Sequence, residues 1–465
     1  MNIVILNGTP RVKRYSRSQA YIDFVIGHYA SHDINVFPVS RLVRELEKQT
    51  EQYRALLDAV SQADMVIWQV PVYSASVPAQ MMRFINLICD DDNARLTFSG
   101  KYAASISTSI NLFDNCVQEY LQAICEDLGM SYTGNFPGTI LPIIDDTYHR
   151  KLIAFIDDLM FHQQNSIPVS RCFPDCSEPT PSIDWAAVQT AQAEEVSRSS
   201  EKTIAIIADC SDEKSNLGEM LSRFKAKSRA QVQVVNLADI DFDGCNSCLK
   251  CAANLTCAIK DDIQSLHENH IKGADAVVFA GEIRHRFLSD KIKAFIDRGF
   301  YNNHLPYMRG KPIGLIVSGR LSRNGLIKES LQSIMELRGG DLAGVVSDES
   351  ADGGTVDKAL TGLAERLVRT VESEAVRPLG FHGNAASRIL RDFVFLVQYP
   401  FVAQLPYFRK HHFRTFPQKR FKVRLLGKVA MALSILKSQS KALADYNERA
   451  ITSFRACFNL EPYDG

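Results

Sequence analysis

Ala63-Asp64-Met65-Val66-Ile67-Trp68 opens a 24-residue stretch that ends Arg83-Phe84-Ile85-Asn86. Ala274-Asp275-Ala276-Val277-Val278-Phe279 opens a second, ending Ala294-Phe295-Ile296-Asp297, and the two align without a gap. Each holds a short all-apolar run, then a loop, then a segment with helical spacing. Such a run followed by a helix is the pattern of a strand buried on both faces of a parallel sheet. The chain therefore carries one α/β unit twice. The middles differ: Pro71-Val72-Tyr73-Ser74 in the first copy, Glu282-Ile283-Arg284-His285 in the second.

Working outward, Ile3 to Leu6 reads as the first strand, ending in Asn7-Gly8-Thr9-Pro10, with a helix over Tyr21 to Tyr29. Val66 to Val70 is followed by a helix from about Pro78 to Ile88, and Tyr102 to Ile106 runs into Ser107-Thr108-Ser109. The second copy repeats this with strands at Ile204 to Ala208, Val277 to Ala280 and Ile313 to Val317, the last followed by Ser318-Gly319-Arg320. From first strand to the Ala-Asp landmark is 60 residues in copy one and 70 in copy two. The extra length falls around four cysteines, which reads as a loop insertion. Residues 166–200, with Pro168, Pro174, Pro179 and Pro181, suit a connector. After about Val376 helices alone are expected, interrupted at Pro400, Pro406 and Pro417. The boundaries are a first domain 1–165, a linker 166–200, a second domain 201–375 and an extension 376–465.

A chain of 465 residues exceeds the roughly 250–300 that one core sustains. Its formal net charge is zero, which gives no electrostatic case for nucleic acid. Met1-Asn2-Ile3-Val4-Ile5-Leu6 lacks a basic region before its apolar run, and no window reaches the roughly 18 apolar residues of a membrane span. A cytoplasmic location is expected. Eleven cysteines, an odd number, point to thiols or metal ligands rather than a disulfide framework.

A strand that ends in a small-residue loop before a helix offers free backbone N–H groups and a positive helix end to an anion. Thr9, Ser16 and Ser18 add hydroxyl donors, and Arg11, Lys13, Arg14 and Arg17 add charge. The same pattern also suits an ordinary strand-to-helix turn. Pro71-Val72-Tyr73-Ser74 lies at the carboxyl end of the next strand, where open α/β sheets bind ligands. A turn carrying a core tyrosine is the alternative.

With Asn7-Gly8-Thr9-Pro10-Arg11, Ser16 to Ser18, Pro71-Val72-Tyr73, Val77-Pro78-Ala79-Gln80 and Phe84-Ile85, copy one resembles the flavodoxin-like NAD(P)H-dependent FMN reductases over about residues 1–110. The resemblance implies a fold class of two tandem flavodoxin-like, doubly wound parallel-sheet domains plus a helical C-terminal extension. It implies that Thr9, Pro10, Arg11, Ser16 and Ser18 hold the FMN phosphate. Pro71, Val72, Tyr73 and Ser74 would flank the isoalloxazine, and Thr108, within Ser107 to Asn111, would complete the site. Met82-Arg83 and Asn86 depart from the lysine and aspartate usual in that family. NAD(P)H would be the reductant and the flavin would carry the chemistry, so no side chain is named as catalytic.

Cys245-x2-Cys248-x2-Cys251-x5-Cys257 places four thiols within 13 residues. Tight runs of this type ligate iron–sulfur clusters, zinc accepts four cysteines, and redox-active thiols are the third reading. The run resembles that of the iron–sulfur flavoproteins, which implies a 4Fe-4S cluster. In copy two, Asp209-Cys210-Ser211-Asp212-Glu213 sets acidic groups where a phosphate would bind, although Ser215-Asn216 still looks like the family. Cys89, Cys116, Cys125 and Cys457 read as small core residues, and Cys172 and Cys176 as an incidental pair.

Between Asp392 and Asp445 lie ten Lys and Arg and no acidic residue. That tail suits either docking on the domains or a partner, or peripheral contact with an anionic membrane. The expected function is an NAD(P)H-dependent FMN oxidoreductase delivering electrons to a small-molecule or protein acceptor. The alternatives are a non-catalytic electron carrier reduced by a partner, and a scaffold with both sites degenerate. An oligomer remains open, and no nucleic-acid partner is expected.

Overall fold

The computed structural model describes residues 1–141, 144–176, 182–186, 188, 199–411, 425, 428, 429, 432 and 439–461. In the first half, strands β1 (Asn2–Asn7), β2 (Asp33–Phe37), β3 (Met65–Pro71), β4 (Tyr102–Ser109) and β5 (Ser131–Thr139) form a parallel sheet in the order β2-β1-β3-β4-β5. The helices are α1 (Arg17–His28), α2 (Val39–Leu46), α3 (Glu51–Gln62), α4 (Ala79–Asp90), α5 (Asp92–Phe98), α6 (Asp114–Asp127) and α7 (Asp146–Gln164). The second half repeats the plan with β6 (Thr203–Ala208), β7 (Gln231–Asn236), β8 (Ala276–Glu282), β9 (Pro312–Ser318) and β10 (Asp341–Ser347), in the order β10-β9-β8-β6-β7. Its helices are α8 (Asn216–Lys227), α9 (Ile263–Leu266), α10 (Asp290–Arg298), α11 (Gly325–Leu337) and α12 (Gly353–Glu372). The extension supplies α13 (Phe381–Val397), α14 (Leu405–His411) and a C-terminal helix Gln439–Ala456.

The duplicated flavodoxin-like α/β architecture expected from the sequence is thus present, with a helical extension. The central strands are buried along almost their whole length because helices cover both faces. The four strands absent from the sequence reading, β2, β5, β7 and β10, lie at the sheet edges. Each is part-exposed, and so each carries polar residues that hide an apolar run.

The chain divides into two compact units. One comprises Met1–Pro174, Cys245–Leu255 and Ile389–Gly465; the other comprises Asp175–Gly244 and Thr256–Arg388. Within the first unit, Phe454 and Phe458 of the extension are buried in the core cluster of Ile5, Tyr21, Ile67 and Ile106. Pro406 sits in the first turn of α14, where a missing N–H costs nothing, so it opens a helix there. Pro417 and most of the basic run Arg409–Arg424 lie outside the described residues. Among the described residues no helix is long and apolar enough to cross a membrane.

Candidate functional site

In both sheets the chain reverses winding direction beside the first strand, so the loops after β1 and β3 open a crevice at the carboxyl edge. In copy one, Gly8 makes the exit from β1 tight. Its N–H donates to Gln69 O at 2.8 Å, and a Cβ there would fall 2.7 Å from Val70 Cγ1 and 2.9 Å from Met81 Sδ. Thr9, Pro10, Ser16 and Ser18 are buried, and Arg11 is half-buried. Ser16 caps α1 by accepting from Gln19 N at 3.3 Å, and its hydroxyl meets Thr9 Oγ1 at 3.4 Å. The Ser18 and Thr108 hydroxyls share a hydrogen bond of 2.6 Å, so β4 is brought to the start of α1.

The second loop is a tight reversal. Tyr73 N donates to Ser76 O at 2.8 Å and Ser76 N returns to Tyr73 O at 3.0 Å. Ser74 and Ala75 accordingly take left-handed φ of 44° and 54°. Pro71, Val72, Tyr73 and Ser74 are all partly exposed, as residues flanking a ligand must be.

Charge separates this crevice from a plain turn. Among the described residues, the Arg11 guanidinium has a single hydrogen-bond partner, the neutral Asn447 Oδ1, and no carboxylate in ion-pair range. Arg17 has no carboxylate either; its guanidinium lies 5.9 Å from the Phe454 ring centroid, and its buried Nε has no hydrogen-bond partner. Burial, then the nearby Arg17, brings the Arg11 pKa down to about 10. Two cations with no carboxylate partner among the described residues, one at the first residue of α1 and one in the loop before it, are an arrangement that suits an anion. Ser76 Oγ, Gln80 Oε1 and Ser107 Oγ, from the second loop, α4 and β4, are also buried without partners. Buried polar atoms of this kind normally find a partner, so their presence on these elements suits a polar ligand. The residues present therefore fit a phosphorylated heterocycle such as FMN.

Copy two keeps the backbone and loses the chemistry. Arg284 and Phe287 make the same paired turn, with His285 and Arg286 at left-handed φ of 44° and 70°. The crevice, however, contains its own anion. Asp348, fully buried, accepts from Asn216 Nδ2 at 2.9 Å, Ser318 Oγ at 2.6 Å and Gly319 N at 2.7 Å. Ser318 pairs with Glu282 as Thr108 pairs with Pro71. The residue facing Thr108 on β5 is Gly138, where a Cβ would fall 2.7 Å from Ser107 O. Copy one thus has no space for the carboxylate that copy two installs one residue past β10. Burial, followed by Asp348, Asp209 and Asp212, pushes the Glu282 carboxyl up, so this rim resists further negative charge.

Among the described residues no group of three or more His, Cys, Asp or Glu side chains is placed to hold a metal ion. Cys245, Cys248 and Cys251 belong to the first compact unit, where Gln80 Nε2 donates to Cys245 O at 3.4 Å. Cys257 belongs to the second, where Arg298 Nη2 donates to its Sγ at 3.7 Å and also holds Asp261. Among the described residues no disulfide is formed. Cys89, Cys116 and Cys125 are buried as expected, and burial raises the Cys89 and Cys125 thiols well above their ordinary range.

The sequence model of NADPH-dependent FMN reductases matches residues 1–136 and again 202–351, more than half of the chain. The chain belongs to that family. The double match agrees with the repeat, and membership places the chain among the flavin oxidoreductases. An iron–sulfur flavoprotein from Archaeoglobus fulgidus is 30% identical over 87 residues, 19% of this chain, so the chain spans 39% of the length of that curated relative. Among solved structures, an NAD(P)H:quinone oxidoreductase from Methanothermobacter marburgensis is 16% identical, with 37% of this chain and 98% of that one covered and a TM-score of 0.30. A flavoenzyme NAD(P)H:(acceptor) oxidoreductase from Paracoccus denitrificans is 16% identical, with 37% and 98% covered and a TM-score of 0.28.

Sequence reasoning missed Gln80 as a site residue, Asn447 at Arg11, and Asp348. Gln80 was within reach, since it opens the helix after the second loop. Nothing local marks the other two.

Proposed function

We propose that copy one binds FMN and that the protein is an NAD(P)H-dependent FMN oxidoreductase passing electrons to a small-molecule or protein acceptor. The observation that carries this reading is the pair Arg11 and Arg17, in the loop leading into α1 and at its first residue, neither with a carboxylate in ion-pair range among the described residues. Thr9, Pro10, Arg11, Ser16 and Ser18 take the phosphate. Pro71, Val72, Tyr73 and Ser74, with Thr108 behind them, position the ring. When bound, FMN supplies the hydride-accepting centre. The chain's work is to hold and orient it and to neutralise the phosphate.

The iron–sulfur reading rests on the cysteine spacing and on the relative from Archaeoglobus fulgidus. Among the described residues no group of three or more potential ligands is placed to hold a metal ion, and the Cys257 thiol accepts a hydrogen bond from Arg298. The proposed electron path accordingly has no metal step.

Flavin titration tests the reading. One FMN per chain is expected, because Asp348 closes copy two, and anaerobic NADPH should bleach the bound flavin within the mixing time of a manual assay. Arg11→Ala should weaken FMN binding on the order of 10–100-fold, the usual worth of a charge-assisted bond to phosphate. A protein that takes up no flavin sinks the proposal, and flavin that NADPH leaves oxidised favours the carrier.

A further inference from the structure

Arg11 is unusual among arginines in what it lacks. A half-buried guanidinium normally pairs with a carboxylate, since an unpaired charge away from water is costly. Here its one side-chain partner among the described residues is the amide oxygen of Asn447, contributed from 436 positions away. Asn447 lies on the C-terminal helix Gln439–Ala456, outside both segments matched by the family model. That helix is fixed against α1 at several points. Arg455 Nη1 donates to Asp23 Oδ2. Phe458 packs on Tyr21 at 4.8 Å and Phe24 at 5.1 Å, and Phe454 on Tyr21 at 6.0 Å. Phe454 and Phe458 are buried, and Asn447 is itself only 7% exposed. The helix cannot shift without uncovering those rings, so the position of the Asn447 oxygen is set by packing.

The geometry points to Asn447 as the positioning residue for Arg11, by which the extension completes the phosphate site of copy one. This rests on the FMN reading of that site. The chemistry favours an amide at this position. An amide oxygen fixes the direction of one N–H while leaving the cationic charge whole, whereas a carboxylate would fix it equally well and cancel the charge. The remaining N–H groups of the fork stay available for an incoming phosphate. Tyr446, the preceding residue, and Tyr73 of the second loop share the electrostatic surroundings of Arg11, so the helix reaches the crevice where ring and phosphate would meet.

The test compares FMN with riboflavin, which differs only by the phosphate, on the full chain and on Asn447→Asp and Asn447→Ala. Asn447→Asp preserves shape and places a competing anion on Arg11. FMN affinity should fall on the order of tenfold or more, and the dependence of that affinity on salt should lose about one charge. Asn447→Ala should cost roughly threefold in FMN and leave the salt dependence intact. Riboflavin should bind all three proteins alike. Parallel losses for FMN and riboflavin would mean that Asn447 serves only to dock the helix, and they overturn the inference. Unchanged FMN binding in Asn447→Asp overturns it too, while leaving the FMN reading of copy one standing. Failure of the unmodified protein to bind either flavin removes both.

Discussion

Lys293→Met is expected to destabilise the protein by about 3–5 kcal/mol, the cost of removing one partner from a buried ion pair. Lys293 Nζ contacts the Asp297 carboxylate one helical turn away on α10, and the two side chains are 0% and 1% exposed. Removing the ammonium takes the Lys293 cation away from the Asp297 carboxylate, which is cut off from water. For a unit of this size the melting temperature should drop by roughly 10 °C or more. The repeat supplies the remedy. Met82 and Asn86 stand at the corresponding positions of copy one, both buried and with no charge to compensate. Lys293→Met combined with Asp297→Asn should therefore recover most of the loss, to within about 1 kcal/mol, because a neutral pair of similar volume replaces a stranded charge. Thermal melts of the two single variants and the double variant decide it. Additive losses in the double variant would show that the ion pair is not what holds α10 in place.

His267 should dominate acid sensitivity. Its ring stacks on Phe295 at 4.0 Å, its Nε2 meets Phe295 O at 2.8 Å, and it is 1% exposed. Burial, with Arg338, Arg298 and Lys272 adding repulsion, holds its pKa down to about 3 from 6.5. The unfolded chain takes up the proton near pH 6.5 while the folded one refuses it. Stability linked to this group is therefore intact above the unfolded value and drains away as pH falls from 6.5 towards 3. The slope is about 1.4 kcal/mol per pH unit. His267→Phe keeps the stack and removes the titration. It should lose about 1 kcal/mol at neutral pH through the missing hydrogen bond, yet lose less than the unmodified protein with each step into acid. Urea midpoints of both proteins across that range read the difference directly, since the two proteins share all their carboxylates and differ only at this ring and its coupling to Glu268. Parallel curves would rule His267 out.

How far the sequence carried the reading depends on where each signal lies. The strands β1, β3, β4, β6, β8 and β9 announce themselves because burial on both faces demands unbroken apolar runs such as Ile3-Val4-Ile5-Leu6. The edge strands are half-wetted and mixed, as in Asp33-Ile34-Asn35 or Gly134-Asn135-Phe136-Pro137, and periodicity cannot separate them from loop. Asp348 was hidden for the same reason, since it follows β10. The first two loops were legible because their residues are neighbours in the chain. Asn447 was not, because its meeting with Arg11 is made by aromatic packing of Phe454 and Phe458 on α1, which no local spacing encodes. The cysteines are legible as a spacing alone: what the four thiols hold depends on their convergence in space, which a local run does not encode.

The carboxylate of Asp348 also sets how each half answers to cofactor supply. Copy two carries a carboxylate of its own chain in that crevice, held by Asn216, Ser318 and Gly319, so no outside anion need fill it. On the FMN reading, copy one instead brings together Arg11 and Arg17, whose charges repel, and takes its anion from outside. By mass action a borrowed ligand stabilises only as far as its concentration exceeds its dissociation constant. Scarcity of flavin would thus be felt by the first half alone, while the second persists as a self-sufficient neighbour.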